Sequence, residues 1–146
     1  MKLLLVCGSV FAAIFVGGLL LTREETLPSL PVAPAQAPAA FHVARVVDGD
    51  TFVLAGGEKV RILNIDTAEM PPRSRCPREE QLAVAAKVRT STLLQGQPVT
   101  LTRQGRDRDR FDRLLRRVSV DGRDVGELLI REGLAQRWEG HKAAWC

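Results

Sequence analysis

The sequence is poor in aromatic and histidine side chains. It has five Phe, two Trp and no Tyr among its 146 residues, which argues against the broad base-stacking platform of single-strand binders. His42 and His141 are too few and too far apart to complete a zinc site with the three cysteines. There is also no glycine-rich phosphate loop, no Ser-His-Asp order and no internal repeat, so neither a phosphate-loop nucleotide site nor a serine-hydrolase triad is predicted.

The charge balance is mildly basic. The chain has 21 Lys and Arg against 17 Asp and Glu, a formal net charge of +4. This excess favours polyanionic partners, but it does not distinguish nucleic acid from a membrane surface.

The N-terminal region differs from the rest of the chain. The run from Leu3 to Leu21 is almost entirely apolar and long enough to span a bilayer. We therefore predict that residues 1–22 are a signal peptide or an N-terminal membrane anchor, and that the Pro- and Ala-rich residues 23–40 are a linker. Both readings predict export to the periplasm or the outside of the cell, with membrane attachment if the segment is not cleaved.

From residue 41 onward the pattern predicts one α+β, mainly β domain that extends to residue 146. Short runs rich in β-branched residues predict five strands, at Val43–Val47, Thr51–Leu54, Lys59–Ile65, Val99–Thr102 and Leu114–Val120. Helical spacing and end signals predict helices at Pro77–Leu94 and Val125–Glu132. The order βββαββα fits a five-stranded OB-fold barrel with two helices. In the third strand the apolar phase changes at Leu63, which predicts a bulge or a strand end before Asp66.

Two acidic motifs lie at the predicted strand ends. Asp48-Gly49-Asp50 precedes the second strand, and Asp66 follows the third. Hard cations prefer several oxygen ligands from different segments, which Asp50, Asp66 and a loop carbonyl can supply. Asp-Gly is equally a strong turn signal, so an ordinary turn is the alternative.

A glutamate and two arginines accompany these motifs. Glu69 can accept a proton from water that attacks phosphorus, and the guanidiniums of Arg61 and Arg113 can each hold phosphate oxygens. The alternative for each is a solvated surface charge. Arg113 lies in the run Asp109-Arg-Phe-Asp-Arg113, which is part of a longer segment dense in arginine.

These motifs together resemble those of the staphylococcal nuclease (thermonuclease-like) family, from Val43 to about Trp138. The resemblance implies that calcium is bound by two aspartates and a backbone carbonyl, with a third aspartate near the metal. It implies catalysis by two arginines and a glutamate base, and nucleotide contacts from the arginine-rich run. In this sequence the metal residues are Asp50, Asp66 and Thr67 with Asp48 nearby, the catalytic residues are Arg61, Glu69 and Arg113, and the substrate contacts are Arg110 and Phe111.

The resemblance implies a calcium-dependent nuclease. It would cleave DNA or RNA with little sequence preference, leave 3′-phosphate products, and act as a monomer without an obligate protein partner. Two positions depart from the family pattern: Ala68 replaces a proline and Asp112 replaces a glycine. The alternatives are a nucleic-acid-binding OB module without turnover and a structural domain of the cell envelope.

Cys76 and Cys146 are the only thiols in the exported part. Exported proteins meet oxidising conditions, so we predict a disulfide between these two residues that pins the C-terminal tail near the Glu69 loop. The alternative is two unrelated thiols.

Overall fold

The computed structural model describes residues 39–146. The predicted signal peptide or anchor, and the predicted linker up to residue 38, lie outside the described residues. Within residues 39–146 no helix is both long and apolar enough to cross a membrane. Ala40, assigned above to the linker, is already part of a two-residue strand, β1, at Ala40–Phe41.

Five longer strands form the body of one sheet: β2 at Val43–Val46, β3 at Thr51–Leu54, β4 at Lys59–Ile62, β6 at Val99–Arg108 and β7 at Leu114–Val120. Their order across the sheet is β1-β6-β7-β4-β3-β2, and β4 pairs with β7 in parallel. The sheet curls into a nearly closed barrel, and with two helices this confirms the OB-fold-like α+β class.

The third strand is shorter than predicted. It ends at Ile62, and the chain turns through Asn64, whose φ is +65°. A new strand, β5 at Ile65–Asp66, then pairs with β9 at Gln136–Arg137. The change of apolar phase therefore marks a strand end, and the new pairing brings Asp66 beside the C-terminal segment.

The fourth long strand is longer than predicted. β6 continues six residues beyond Thr102 to Arg108, with a register shift against β7 between Arg103 and Arg108. Its added residues are polar or glycine, so no apolar alternation signals them. A further short strand, β8 at Arg123–Asp124, pairs with the end of β7.

Both predicted helices are present. α1 spans Pro77–Leu94, with proline in its first turn and Cys76 at its N-cap, and α2 spans Val125–Arg131. Asp124 caps α2 by accepting a hydrogen bond from the backbone N–H of Glu127 at 2.9 Å.

The barrel and both helices share one apolar core. Its fully buried side chains come from β3, β4, β6, β7, α1 and α2, and include Phe52, Val60, Ile62, Leu94, Val99, Val118, Val125 and Leu129. A second, smaller cluster lies beneath the loop after β5, where Trp145 packs with Ala68 and Ala83.

Candidate active site

The turn between β2 and β3 is fixed by close packing against α1. A Cβ on Gly49 would lie 2.7 Å from the Cβ of Ala86, so only glycine permits this approach. The hydroxyl of Thr90 on α1 donates to the Gly49 carbonyl at 2.8 Å. Asp48 accepts a hydrogen bond from the backbone N–H of Asp50 at 3.2 Å. The Asp-Gly-Asp segment is thus a turn, and it also holds a buried carboxylate in a defined position.

Asp50 is paired with Arg61. The antiparallel register sets Thr51 opposite Arg61, and Nη1 of Arg61 donates to Oδ2 of Asp50 at 2.9 Å. The same Nη1 donates to the carbonyl of Ile65 at 3.2 Å, and the guanidinium lies 5.5 Å from the ring centroid of Trp138. Arg61 is therefore oriented on three sides.

Burial raises the pKa of Asp50 to about 6, because the residue is only 5% exposed and the ionised form loses its water. Arg61 lowers the pKa and Asp48 raises it. The carboxylates of Asp48 and Asp50 repel each other, and a bound cation would relieve this repulsion.

Arg113 is held by Asp109, which it contacts through two guanidinium nitrogens. Its Nε and Nη2 lie 2.8 and 2.7 Å from Oδ2 of Asp109, and its Nη1 donates to the hydroxyl of Thr51 at 3.2 Å. Burial would raise the pKa of Asp109, but the hydrogen bonds from Arg113 and from the backbone hold it below its usual value. Arg113 therefore faces an ionised partner.

An exposed aromatic ring lies beside Arg113. Phe111 is 63% exposed, and its ring centroid is 4.8 Å from the guanidinium of Arg110 and 5.4 Å from that of Arg113. Asp112, which replaces the family glycine, adopts a left-handed φ of +61°. Aspartate tolerates this region better than most residues, so the turn is kept.

Glu69 lies on the loop after β5, between two cations. Its Oε2 accepts from Nε of Arg73 at 2.8 Å, and its Oε1 faces Nζ of Lys142 at 2.5 Å. Ala68 beside it is buried against Trp145. Packing thus restrains the loop at the position where the family pattern has proline.

Asp66 is fully buried and bonded to the C-terminal tail, residues 139–146. Its Oδ1 accepts from Nζ of Lys142 at 2.8 Å, and its Oδ2 accepts from the backbone N–H of Ala143 at 3.1 Å and the indole N–H of Trp145 at 3.3 Å. Burial would lower the pKa of Lys142, but Asp66 and Glu69 raise it, so this ammonium stays charged.

A disulfide joins Cys76 to Cys146, 70 residues apart. The bond ties the tail to the start of α1, beside the buried carboxylate of Glu79. The backbone N–H of Arg75 is the main group that lowers the pKa of Glu79, and the backbone of Glu69 adds to the effect. Glu79 therefore links the segment before the disulfide to the Glu69 loop through backbone hydrogen bonds.

These groups border one cleft of about 720 Å³. We call Asp50, Arg61 and Arg113 its barrel side, and Asp66, Glu69 and Lys142 its tail side. Eight of the nine candidate metal, catalytic and substrate residues line the cleft: Asp48, Asp50, Arg61, Thr67, Glu69, Arg110, Phe111 and Arg113. Asp66 is the exception, because it is fully buried: its oxygens accept hydrogen bonds from the tail, and Oδ1 also lies 3.8 Å from Nη2 of Arg61.

The comparisons with known proteins agree with this arrangement. The sequence model of the family described as "Staphylococcal nuclease homologue" matches residues 59–144, more than half of the chain. The chain belongs to this family. The match reaches past Trp138, where the sequence resemblance was expected to end, and it includes most of the tail. Members of the family generally depend on a metal ion.

Two relatives come from Bacillus subtilis (strain 168). Endonuclease YncB is 38% identical over 96 residues, which cover 63% of this chain and 44% of the relative. SPbeta prophage-derived endonuclease YokF is also 38% identical over 96 residues, covering 32% of its own length. The chain thus matches less than half the length of either relative.

Among the cleft residues that were not sequence candidates, Asp109, Trp138 and Lys142 contact the candidate side chains directly. Asp109 forms an i, i+4 pair with Arg113, which the Asp-Arg-Phe-Asp-Arg run could have signalled. Trp138 and Lys142 line the cleft as well. Lys142 is 76 residues from Asp66 and has no local pattern, so nothing in the sequence indicated its position.

Proposed function

We propose that the chain is a calcium-dependent nuclease that hydrolyses phosphodiester bonds of DNA or RNA with little sequence preference. The observation that carries this proposal is the convergence of two oriented guanidiniums and one carboxylate, Arg61, Arg113 and Glu69, on a single cleft. Family membership and the endonuclease names of the two relatives support it.

In this proposal Arg61 and Arg113 hold the phosphate. Each guanidinium is fixed by a carboxylate, Asp50 or Asp109, and keeps other N–H groups for a ligand in the cleft. These donors bind non-bridging oxygens and stabilise the charge that builds as phosphorus becomes five-coordinate. Arg110 and Phe111 then contact the neighbouring nucleotide.

Glu69 is the proposed general base. Its two ion pairs, with Arg73 and Lys142, leave carboxylate lone pairs free to accept a proton. Glu69 takes a proton from water as that oxygen bonds to phosphorus. The bond from phosphorus to the 5′ oxygen breaks, the leaving oxygen takes a proton from solvent water, Glu69 returns its own proton to solvent, and a 3′-phosphate product results.

The residues on the barrel side fit a hard cation. Asp50 is a buried carboxylate beside Asp48, and Thr67 lines the same cleft, so oxygen donors would hold Ca²⁺ there. When bound, the ion would supply Lewis-acid stabilisation of the phosphate charge and activation of water. Within residues 39–146, no three His, Cys, Asp or Glu side chains cluster as a metal site. Asp66 could contribute Oδ1 only by giving up Lys142.

The setting of the enzyme is part of the proposal. The apolar N-terminal segment suits export, with the membrane as a partner if the segment is retained. The mildly basic charge suits a nucleic-acid substrate, and the proposed unit is a monomer.

The deciding experiment incubates the full chain with plasmid DNA and with RNA in Ca²⁺, in Mg²⁺ and in EDTA, and measures binding in parallel. We expect cleavage in Ca²⁺ that EDTA abolishes. Binding without cleavage in either metal would instead identify a nucleic-acid-binding module, and neither binding nor cleavage would favour a structural role.

A further inference from the structure

The tail contacts the Glu69 loop at its start, its middle and its end. Three donors of the tail, from Lys142, Ala143 and Trp145, bind the buried carboxylate of Asp66 at the start of the loop. Lys142 also binds Glu69, and the disulfide of Cys146 holds Cys76 at the end. Buried carboxylates need hydrogen-bond partners, and the tail supplies those of Asp66, so the tail is an integral part of the fold.

Two features hold Lys142 over the cleft. Trp145, three residues later, is buried against Ala68 and Ala83, and Cys146 is covalently bound. Arg75 also donates to the Ala143 carbonyl at 3.4 Å. The backbone that carries Lys142 is therefore anchored on both sides of Ala144, and the ammonium lies between Asp66 and Glu69.

Glu69 has two cationic partners, Lys142 and Arg73. Arg73 is 70% exposed and lies on the same loop, whereas Lys142 is half exposed and reaches Glu69 from a segment anchored elsewhere in the fold. An exposed i, i+4 pair contributes little by itself. Lys142 is thus the contact that fixes Glu69 relative to the barrel.

We propose that Lys142 is a positioning residue of the active site: its ammonium, held in place by Trp145 and the Cys76–Cys146 disulfide, orients Glu69 and secures Asp66. This inference rests on the proposed function, because it assigns Lys142 a part in the work of Glu69. Lys142 acts through Glu69, the carboxylate that takes the proton from the attacking water.

The test compares the full-length parent with Lys142→Met, Lys142→Arg and the control Lys59→Met. Lys59 is an exposed lysine on β4 outside the cleft. Losing an outer partner of a site residue typically costs about 10–100-fold in activity. We expect Lys142→Met to lower kcat by about this factor with KM unchanged, Lys142→Arg to recover most of it, and Lys59→Met to match the parent.

Reduction provides a second arm that needs no substitution. Opening the disulfide should lower the kcat of the parent as Lys142→Met does, and should add little to Lys142→Met, because both release the same contact. A parent-like or raised kcat for Lys142→Met, or a reduced parent with unchanged kcat, would overturn the proposal.

A third arm separates this inference from the proposed function. Unfolding midpoints of Lys142→Met, Glu69→Gln and the double variant require no activity. We expect the shift of the double variant to be smaller than the sum of the single shifts. Additive shifts would contradict the contact between Lys142 and Glu69, even if the chain is an active nuclease. Non-additive shifts in a chain without nuclease activity would support the contact and refute the proposed function.

Discussion

The two sides of the cleft carry similar chemistry but are built differently. On the barrel side the cations pair with nearby acids: Asp50 with Arg61, 11 residues apart, and Asp109 with Arg113, four apart. On the tail side Asp66 pairs with Lys142 across 76 residues. The barrel side is therefore organised by strand register and a short turn, whereas the tail side depends on where a distant segment is anchored.

The difference lies in how each side is stabilised. The strands beneath Asp50, Arg61 and Arg113 belong to the main core and share its backbone hydrogen bonds. The tail side rests on a small cluster around Trp145 and on one covalent bond. Perturbing the tail should change the geometry around Glu69 while the barrel remains folded.

The largest expected effect comes from Glu69→Gln. The amide keeps the shape of the side chain but cannot take a proton from water, so cleavage should fall by roughly 10²- to 10⁴-fold. Circular dichroism and nucleic-acid binding should match the parent. Cleavage by Glu69→Gln at close to the parental rate would remove Glu69 from the mechanism.

Opening the disulfide should have the next largest effect, and it acts on stability. A cross-link spanning 70 residues restricts the unfolded chain, for which loop-closure entropy gives an upper value of about 4 kcal/mol. Denaturant unfolding with and without reductant measures the loss. Cys146→Ser should show the same loss of stability without reductant, and adding reductant should not lower its stability further. An unchanged midpoint after reduction would show that the disulfide does not stabilise the fold.

Arg113→Lys should weaken cleavage by roughly 10²-fold, because an ammonium cannot reproduce a planar fork between Asp109 and a phosphate. Arg61→Lys should behave similarly. Arg123→Lys, an exposed change on β8 away from the cleft, is the matched control and should be neutral. If either cleft variant cleaves as fast as the control, that arginine is only a surface charge.

The smallest effect is expected where α1 meets α2, outside both sides of the cleft. Arg89 binds Glu132 through two bonds of 2.8 and 2.7 Å and lowers the pKa of Glu132 below its usual 4.5. The pair is about one-third exposed, so Glu132→Gln should cost under about 1 kcal/mol. A lowered pKa stabilises the fold above pH 4.5, and the stabilisation is lost as pH falls through the lowered value. Unfolding at neutral and acidic pH should therefore show the difference only at neutral pH.

The barrel and its side of the cleft could be predicted because their signals are local. Alternating residues such as Val60 and Ile62 indicated strands, and the Asp-Gly-Asp turn with Arg61 indicated a polar site at their ends. The extension of β6 to Arg108 could not be predicted, since its exposed charges have no apolar period.

The tail side was harder to predict from sequence. The presence of only two thiols in residues 41–146 suggested the bond between Cys76 and Cys146, but a cysteine pairing does not indicate which tail side chains reach the cleft. The contacts of Asp66 follow from β5 pairing with β9, a register that two-residue strands do not reveal in sequence. Lys142 reaches the cleft because this pairing, Trp145 and the disulfide together place the tail.

In the proposed reaction, water attacks phosphorus in this cleft and the bond to the 5′ oxygen breaks. Cleavage of a defined DNA oligonucleotide by the full chain in Ca²⁺ and ¹⁸O-labelled water tests this directly by mass spectrometry of the products. We expect a 3′-phosphate that carries one ¹⁸O atom and an unlabelled 5′-hydroxyl. Labelled 5′-phosphate with a 3′-hydroxyl, or no cleavage of a bound oligonucleotide, would contradict it.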